Sequence, residues 1–262
     1  MKILHLSDDG LPDWRVEKSA LTATKAGHEV FFGGRLNDNY TKSTLFSELH
    51  AVKWTAGAMV GIPYYYHSVK KQVEKLVKKV RPDVVHSHNI GSAKLSHDLG
   101  LPFVFDDHEY FGMLSRVNAE NIKFQNIPHL KSRFDRIKQN MKLSLISRQS
   151  ISNWTKWEKE LVLSVPTITV SEQIAHELRK MADGRTKEIA VVPNYPLEAE
   201  QISFKEPQHH RQLSSVYAGG DSKHKQVTNR NISGLTNLFV DNDIGNLTII
   251  GWEDPESTEN TG

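Results

Sequence analysis

Lys2-Ile3-Leu4-His5-Leu6-Ser7-Asp8-Asp9-Gly10 opens the chain, and its reading together with the residues up to Gly34 decides the fold. Lys2–Leu6 is a short apolar run followed by Ser-Asp-Asp-Gly, the pattern of a buried strand running into a loop. Val16, Ala20 and Ala23, with Ala26 one step off, mark one face of a helix, and Gly27 is placed to end it. His28-Glu29-Val30-Phe31-Phe32 reads as a second strand, stopped by Gly33-Gly34. Strand, helix, strand in this order is the unit of a parallel α/β sheet.

The alternation continues downstream. Val69, Val73, Leu76, Val77 and Val80 form one apolar helical stripe, backed by Lys70, Lys71, Lys75, Lys78 and Lys79. Arg81-Pro82 ends that helix, and Asp83-Val84-Val85-His86 is the next strand. A short helix over 92–99, closed by Gly100, leads to a strand at Pro102–Phe105. Thr167–Val170 is another strand, Ser171 is placed as the N-cap of a helix through Leu178, and Ile189–Val192 follows as a strand. Residues 196–213 lose periodicity and read as a linker. Beyond them come a strand at Ser215–Ala218, a helix with Ile232, Leu235 and Phe239 on one face, and a strand at Leu247–Ile250. The expected architecture is a Rossmann-like parallel-sheet domain over 1–195, the linker 196–213, and the start of a second such domain over 214–262.

Composition removes several classes of function. The 262 residues contain no cysteine, which excludes disulfide frameworks, cysteine zinc sites, iron–sulfur clusters and thiol nucleophiles. The 33 Lys and Arg against 31 Asp and Glu leave a formal charge of +2, too balanced to indicate a nucleic-acid partner. No apolar run reaches the length of a membrane span, and the early acidic residues argue against a signal peptide. A cytoplasmic protein, at most peripheral at the inner membrane face, is the expectation. Histidine is over-represented, at 13 residues.

In open parallel sheets ligands bind at the carboxyl ends of the strands, so the residues after each strand carry the functional reading. After the first strand, the loop with Gly10 leads to a helix start that can hold an anion through its backbone amides. It lacks the G-x-G-x-x-G spacing of a dinucleotide fingerprint, and Asp13 as a plain helix cap is the alternative. After Val84–Val85 come His86-Ser87-His88-Asn89, and after Phe103–Phe105 come Asp106-Asp107-His108-Glu109. A cluster of this composition is a metal-ligand set, an acid–base pair, or ordinary capped strand ends. Two-residue histidine spacing does not by itself aim both rings at one ion, so His108 is the expected general base or orienting group, tuned by Asp107 or Glu109. Residues 116–160 hold ten Lys or Arg and four acids, with Trp154 and Trp157 near the end. They read as a solvated helical face or a contact for anionic lipid.

Four segments together resemble the N-terminal half of a two-domain, GT-B type glycosyltransferase of the family 4 kind. They are Asp13-Trp14-Arg15-Val16 through Gly27-His28-Glu29-Val30, Arg81-Pro82-Asp83-Val84-Val85-His86-Ser87-His88, Phe103-Val104-Phe105-Asp106-Asp107-His108-Glu109, and Ile168-Thr169-Val170-Ser171 with Val191-Val192-Pro193-Asn194. The resemblance implies a nucleotide-sugar donor, a glycan or lipid-linked hydroxyl acceptor, retention of anomeric configuration, and no metal or other cofactor. His108 matches the histidine at the reacting sugar, with Asp107 and Glu109 beside it. Gly10 and Asn194 match donor-side positions, while Trp14, Arg15, His86 and His88 fall on the acceptor side. The family's Arg and Lys for the diphosphate have only Lys225 and Arg230 as counterparts, in a different order and spacing. The family's late Glu pair has no counterpart in the second domain, so the chain is expected to be a fragment. A non-catalytic acceptor- or membrane-binding module and a sugar-nucleotide epimerase are the alternatives.

Overall fold

The computed structural model describes residues 1–37, 43–122, 133–195, 214–218, 232–242 and 245–250. The chain divides into two compact units, one of Met1–Glu120 with Ile127–Tyr195 and one of Asn121–Asn126 with Pro196–Gly262.

The first unit is built on a seven-stranded sheet. Its strands are β1 (Lys2–Leu11), β2 (Glu29–Leu36), β3 (Glu48–Ala51), β4 (Val84–His88), β5 (Phe103–Asp107), β6 (Thr167–Thr169) and β7 (Ile189–Val191). Their order is β3-β2-β1-β4-β5-β6-β7, and every pairing is parallel. This is a doubly wound order whose direction reverses beside β1, where such sheets hold their ligands. The helices are α1 (Trp14–Lys25), α2 (Ala56–Met59), α3 (Pro63–Val80), α4 (Asn89–Asp98), α5 (Phe111–Ile122), α6 (Arg133–Ser164) and α7 (Glu172–Met181).

Both faces of the sheet are covered, as a parallel sheet requires. On one face Leu4, Leu6, Val85, Phe103 and Phe105 pack with Val69 and Leu76 of α3, Ile90 of α4 and Leu161 of α6. On the other, Leu11, Val30 and Phe32 pack with Val16 and Ala20 of α1 and with Phe46. The α3 stripe buries Val69, Val73, Leu76 and Val80, and Arg81 ends the helix in the left-handed conformation (φ 51°). Asp13 caps α1 by accepting from the Arg15 and Val16 amides, and Ser171 caps α7 through the Ile174 amide at 3.2 Å.

Four strands run further than their sequence suggests, β5 among them, since Asp106 and Asp107, expected after it, are its last two residues. The Ser7–Gly10 segment expected as a loop belongs to β1, because pairing resumes at Gly10 with Arg35 after an irregular register and Leu11 fills a core position. Gly33 and Gly34 do not stop β2 but lie inside it. A Cβ on Gly33 would come within 2.5 Å of Leu76, and one on Gly34 within 2.5 Å of the Phe32 ring and 2.9 Å of the Ser7 carbonyl oxygen. The pair is there for close packing and not as a turn. β4 continues through His88, so Ser87 and His88, beyond the expected strand end at His86, are part of it. The edge strand β3 and the single turn α2 carry no periodic pattern that marked them in advance.

The second unit, taken by itself, contains β8 (Ser214–Ala218), α8 (Ile232–Asn242) and β9 (Asn246–Ile250), with β8 and β9 parallel. The 196–213 linker, Lys225 and Arg230 lie outside the described residues. Among the described residues no helix is long and apolar enough to cross a membrane.

Because the Ser7 carbonyl is backbone that cannot swing aside, Gly34→Ala is expected to destabilise the protein by about 1–3 kcal/mol through overpacking. Urea unfolding followed by circular dichroism reads this as a lower midpoint; an unchanged midpoint contradicts the close approach.

Candidate functional site

Strand geometry selects the polar groups that meet. Successive side chains on a strand point to opposite faces, so His86 and His88 share one face of β4, with Ser87 on the other. Register adds His5 of β1, opposite His86, and Asp106 of β5, opposite His88. The three rings stack side by side, with centroids 4.2 Å apart for His86 and His88 and 5.2 Å for His5 and His88. His108 lies two residues beyond Asp106, on the turn after β5, and comes to the same place.

The centre of the group is the Asp106 carboxylate. Its Oδ2 lies 3.2 Å from His86 Nε2, 3.2 Å from His88 Nδ1 and 3.2 Å from His108 Nε2. Its Oδ1 accepts from the Arg15 guanidinium at 2.6 Å. Another Arg15 nitrogen donates to the Asn194 side-chain oxygen, which ties the segment after β7 to the N-terminus of α1. Burial alone would raise the Asp106 carboxyl, but hydrogen bonds from His108, His86 and His88 outweigh it and hold the group well below the usual carboxylate range. It is therefore an anion at neutral pH.

The histidines behind it stay neutral. His88 and His5 are fully buried, and their nitrogens meet at 2.9 Å. Burial, followed by the charges of neighbouring histidines, pulls His88 down to about 3 and His5 well below its ordinary value. His108 keeps some exposure, 12% of its side chain, and its Nε2 is 3.1 Å from His88 Nδ1.

Asp107 does not join this constellation. It is the next residue on a strand and points to the opposite face, where it is fully buried and neither carboxyl oxygen has a hydrogen-bond partner among the described residues. There it faces Glu158 of α6, itself buried and accepting from the Gly112 amide at 3.1 Å. Burial and then the Glu158 charge push Asp107 well above the usual range, while burial pushes Glu158 up to about 8. Glu158 is therefore a carboxylic acid at neutral pH. Glu109 is exposed on the turn. The carboxylate in contact with His108 is thus Asp106, which the sequence reading passed over in favour of its neighbours. Its spacing of two from His108 was the available signal.

A second polar group closes the carboxyl end of β1. Asp8 is buried and accepts from the Gly91 amide at 2.9 Å, while Asn89, in the left-handed region (φ 69°), donates to Asp9 at 2.7 Å. Burial and the neighbouring Asp9 push Asp8 up to about 7. Gly10 sits in β1 beside Arg35, and the first free amides of α1 are already taken by Asp13. Trp14 is half exposed at the start of α1, with the Lys18 ammonium 4.5 Å from its ring centre. The site as a whole offers an imidazole held by an anion, an arginine that neutralises the same anion, and an exposed indole nearby.

The family model described as Glycosyltransferase Family 4 matches residues 19–195. Among solved structures, sucrose-phosphate synthase from Thermosynechococcus elongatus is similar over 98% of this chain and 72% of its own, at 13% identity and a TM-score of 0.59. The lipopolysaccharide outer core galactosyltransferase WaaB, in its apo form, covers 100% of this chain and 71% of its own, at 12% identity and a TM-score of 0.47. The glycosyltransferase SsfS6 of Streptomyces sp. SF2575 covers 98% and 69%, at 14% identity and a TM-score of 0.45. Among curated proteins nothing matches.

The buried acid pair gives the fold a defined pH dependence. Glu158 binds its proton more tightly folded than unfolded, so its contribution is complete below 4.5 and is lost as pH rises through about 8. Thermal unfolding is expected to show a melting temperature that falls across this window. Glu158→Gln, which stays neutral, should flatten the fall; an equally steep fall in that variant would show that Glu158 is ionised in the fold.

Proposed function

The chain belongs to Glycosyltransferase Family 4, and from the histidine–aspartate site on its sheet we propose that it transfers a sugar from a nucleotide-sugar donor to a hydroxyl acceptor, with His108 at the reacting centre. The chain is a transferase; the donor, the retaining course and the independence from metal are part of the proposal. The observation that carries it is the hold of Asp106 on His108. With the His108 Nε2–H donating to the Asp106 carboxylate, the ring's lone pair sits on Nδ1, which has no partner among the described residues. A neutral imidazole fixed in this tautomer can accept the hydrogen of an acceptor hydroxyl and orient its oxygen toward the sugar carbon. Asp106 remains ionised and stabilises any positive charge that develops on the ring, and Arg15 balances the carboxylate.

The acceptor approaches from the side of Trp14 and Arg15 in this reading. An exposed indole suits the apolar face of a sugar ring, whether the acceptor is a free glycan or one linked to lipid. The donor diphosphate is assigned to the second unit in this reading, with Lys225 and Arg230 as candidate cations from its sequence.

Peripheral contact with anionic lipid is the second part of the proposal. On α6, Met141 and Leu145 are 69% and 55% exposed and alternate with exposed Lys142 and Arg148. Trp154 and Trp157 of the same helix turn inward, with the Trp154 indole donating to the Met59 carbonyl at 2.9 Å.

His108→Ala is expected to lower kcat for sugar transfer by about 10²–10⁴-fold with an unchanged circular dichroism spectrum. Asp106→Asn should lower kcat more than it raises KM, because it removes the charge that fixes the His108 tautomer while its amide oxygen can still accept from Arg15. Turnover near wild type in folded His108→Ala sinks the reading, and sugar-nucleotide conversion without any acceptor would favour an epimerase. For the lipid contact, co-sedimentation with phosphatidylglycerol vesicles should weaken as salt rises; equal binding to neutral vesicles argues against it.

A further inference from the structure

His88 Nδ1, His108 Nε2 and Asp106 Oδ2 form a nearly equilateral triangle, with edges of 3.1, 3.2 and 3.2 Å. Three ligand atoms bound to one zinc-like ion, each about 2.0–2.1 Å from it, stand roughly 3.3 Å apart in tetrahedral geometry and about 2.9 Å apart in octahedral geometry. The observed edges fall between the two. We infer that His88, Asp106 and His108 form a binding site for a divalent transition cation of the zinc type.

The surroundings are those of a supported ligand set. His88 Nε2 meets His5 Nδ1 at 2.9 Å, so the ring can donate there and turn its Nδ1 lone pair toward the triangle. The Asp106 oxygen outside the triangle is anchored by Arg15 at 2.6 Å. Such partners fix ring tautomers and orient carboxylates in metal sites. His88 and Asp106 are buried on paired strands, while the partial exposure of His108 leaves a side from which a cation can approach. His86, which forms a further potential ligand group with His5 and His88, lies at the flank. Two imidazoles and one carboxylate suit zinc, cobalt or nickel, whereas magnesium and calcium favour sites made of oxygen.

Cation binding has a consequence for the ring chemistry. In its neutral form the His108 ring carries one proton. With the cation on Nε2, that proton resides on Nδ1, which becomes a donor and loses the lone pair assigned to the acceptor hydroxyl. The cation thereby blocks transfer; this consequence rests on the reading in the preceding section, whereas the binding itself does not.

The test uses the full chain, treated with EDTA and titrated with Zn²⁺ by calorimetry. One saturable equivalent is expected, unaffected by excess Mg²⁺. His108→Ala and Asp106→Asn should each weaken binding at least about tenfold, and His176→Gln, at an exposed histidine on α7, should leave it unchanged. Diethyl pyrocarbonate labelling of the unmutated protein provides a check that needs no variant, since Zn²⁺ should slow modification of His108. No saturable binding, undiminished affinity in a folded His108→Ala protein, or His108 labelling insensitive to Zn²⁺ overturns the site. Binding that depends on His108 supports the site. If transfer nevertheless continues at full rate with Zn²⁺ bound, the failure falls on the assigned role of His108 and not on the cation site.

Discussion

One buried carboxylate, that of Asp106, organises the polar side of the first unit. It holds the guanidinium at the start of α1, two histidines of β4 and the histidine that follows β5, and through Arg15 it reaches the segment after β7. Burying such an ion without partners costs several kcal/mol, and several directed hydrogen bonds offset that cost. The same contacts that make the charge tolerable fix the ring of His108. Stability of the sheet edge and definition of the reactive group are therefore one arrangement, and loosening either loosens both.

The adjacent Asp106 and Asp107 show how strongly strand parity partitions chemistry. One is surrounded by donors and stays ionised; the other faces an apolar layer and a second acid, which push its carboxyl well above the ordinary range. No difference in residue type separates them. Only the pleat of β5 and the helix that covers each face distinguish an anchoring anion from a buried acid whose ionisation is opposed. Glu158, inside a helix with a strongly basic neighbourhood, is drawn into the same apolar layer for want of any other place on that face of α6.

Much of the sheet was legible because buried parallel strands and the α3 stripe leave strong apolar patterns. The α1 and α7 caps were legible for the same kind of reason, since Asp13 and Ser171 sit immediately before periodic residues. What escaped depended on contacts distant in sequence. Gly33 and Gly34 look like a turn until Leu76, Phe32 and the Ser7 carbonyl are placed around them. His86, His88 and His108 were legible as neighbours at one sheet edge, but His5 enters only through the register of β1 with β4. Asp106 could have been chosen over Asp107 by counting two residues from His108. The reach of Arg15 to Asn194, which lie 179 positions apart, could not have been counted at all.

The buried acids also alter the protein's electrical identity. The formal charge of +2 treats every carboxyl as ionised. A proton retained on Glu158 places the folded chain one charge above that figure at neutral pH, the Asp107 carboxyl is pushed in the same direction, and Asp8 titrates close by. Unfolding exposes these groups and releases their protons into the medium. The heat absorbed when this protein melts therefore includes the heat of protonating the buffer, and it will differ between two buffers at one pH even though the fold being lost is the same.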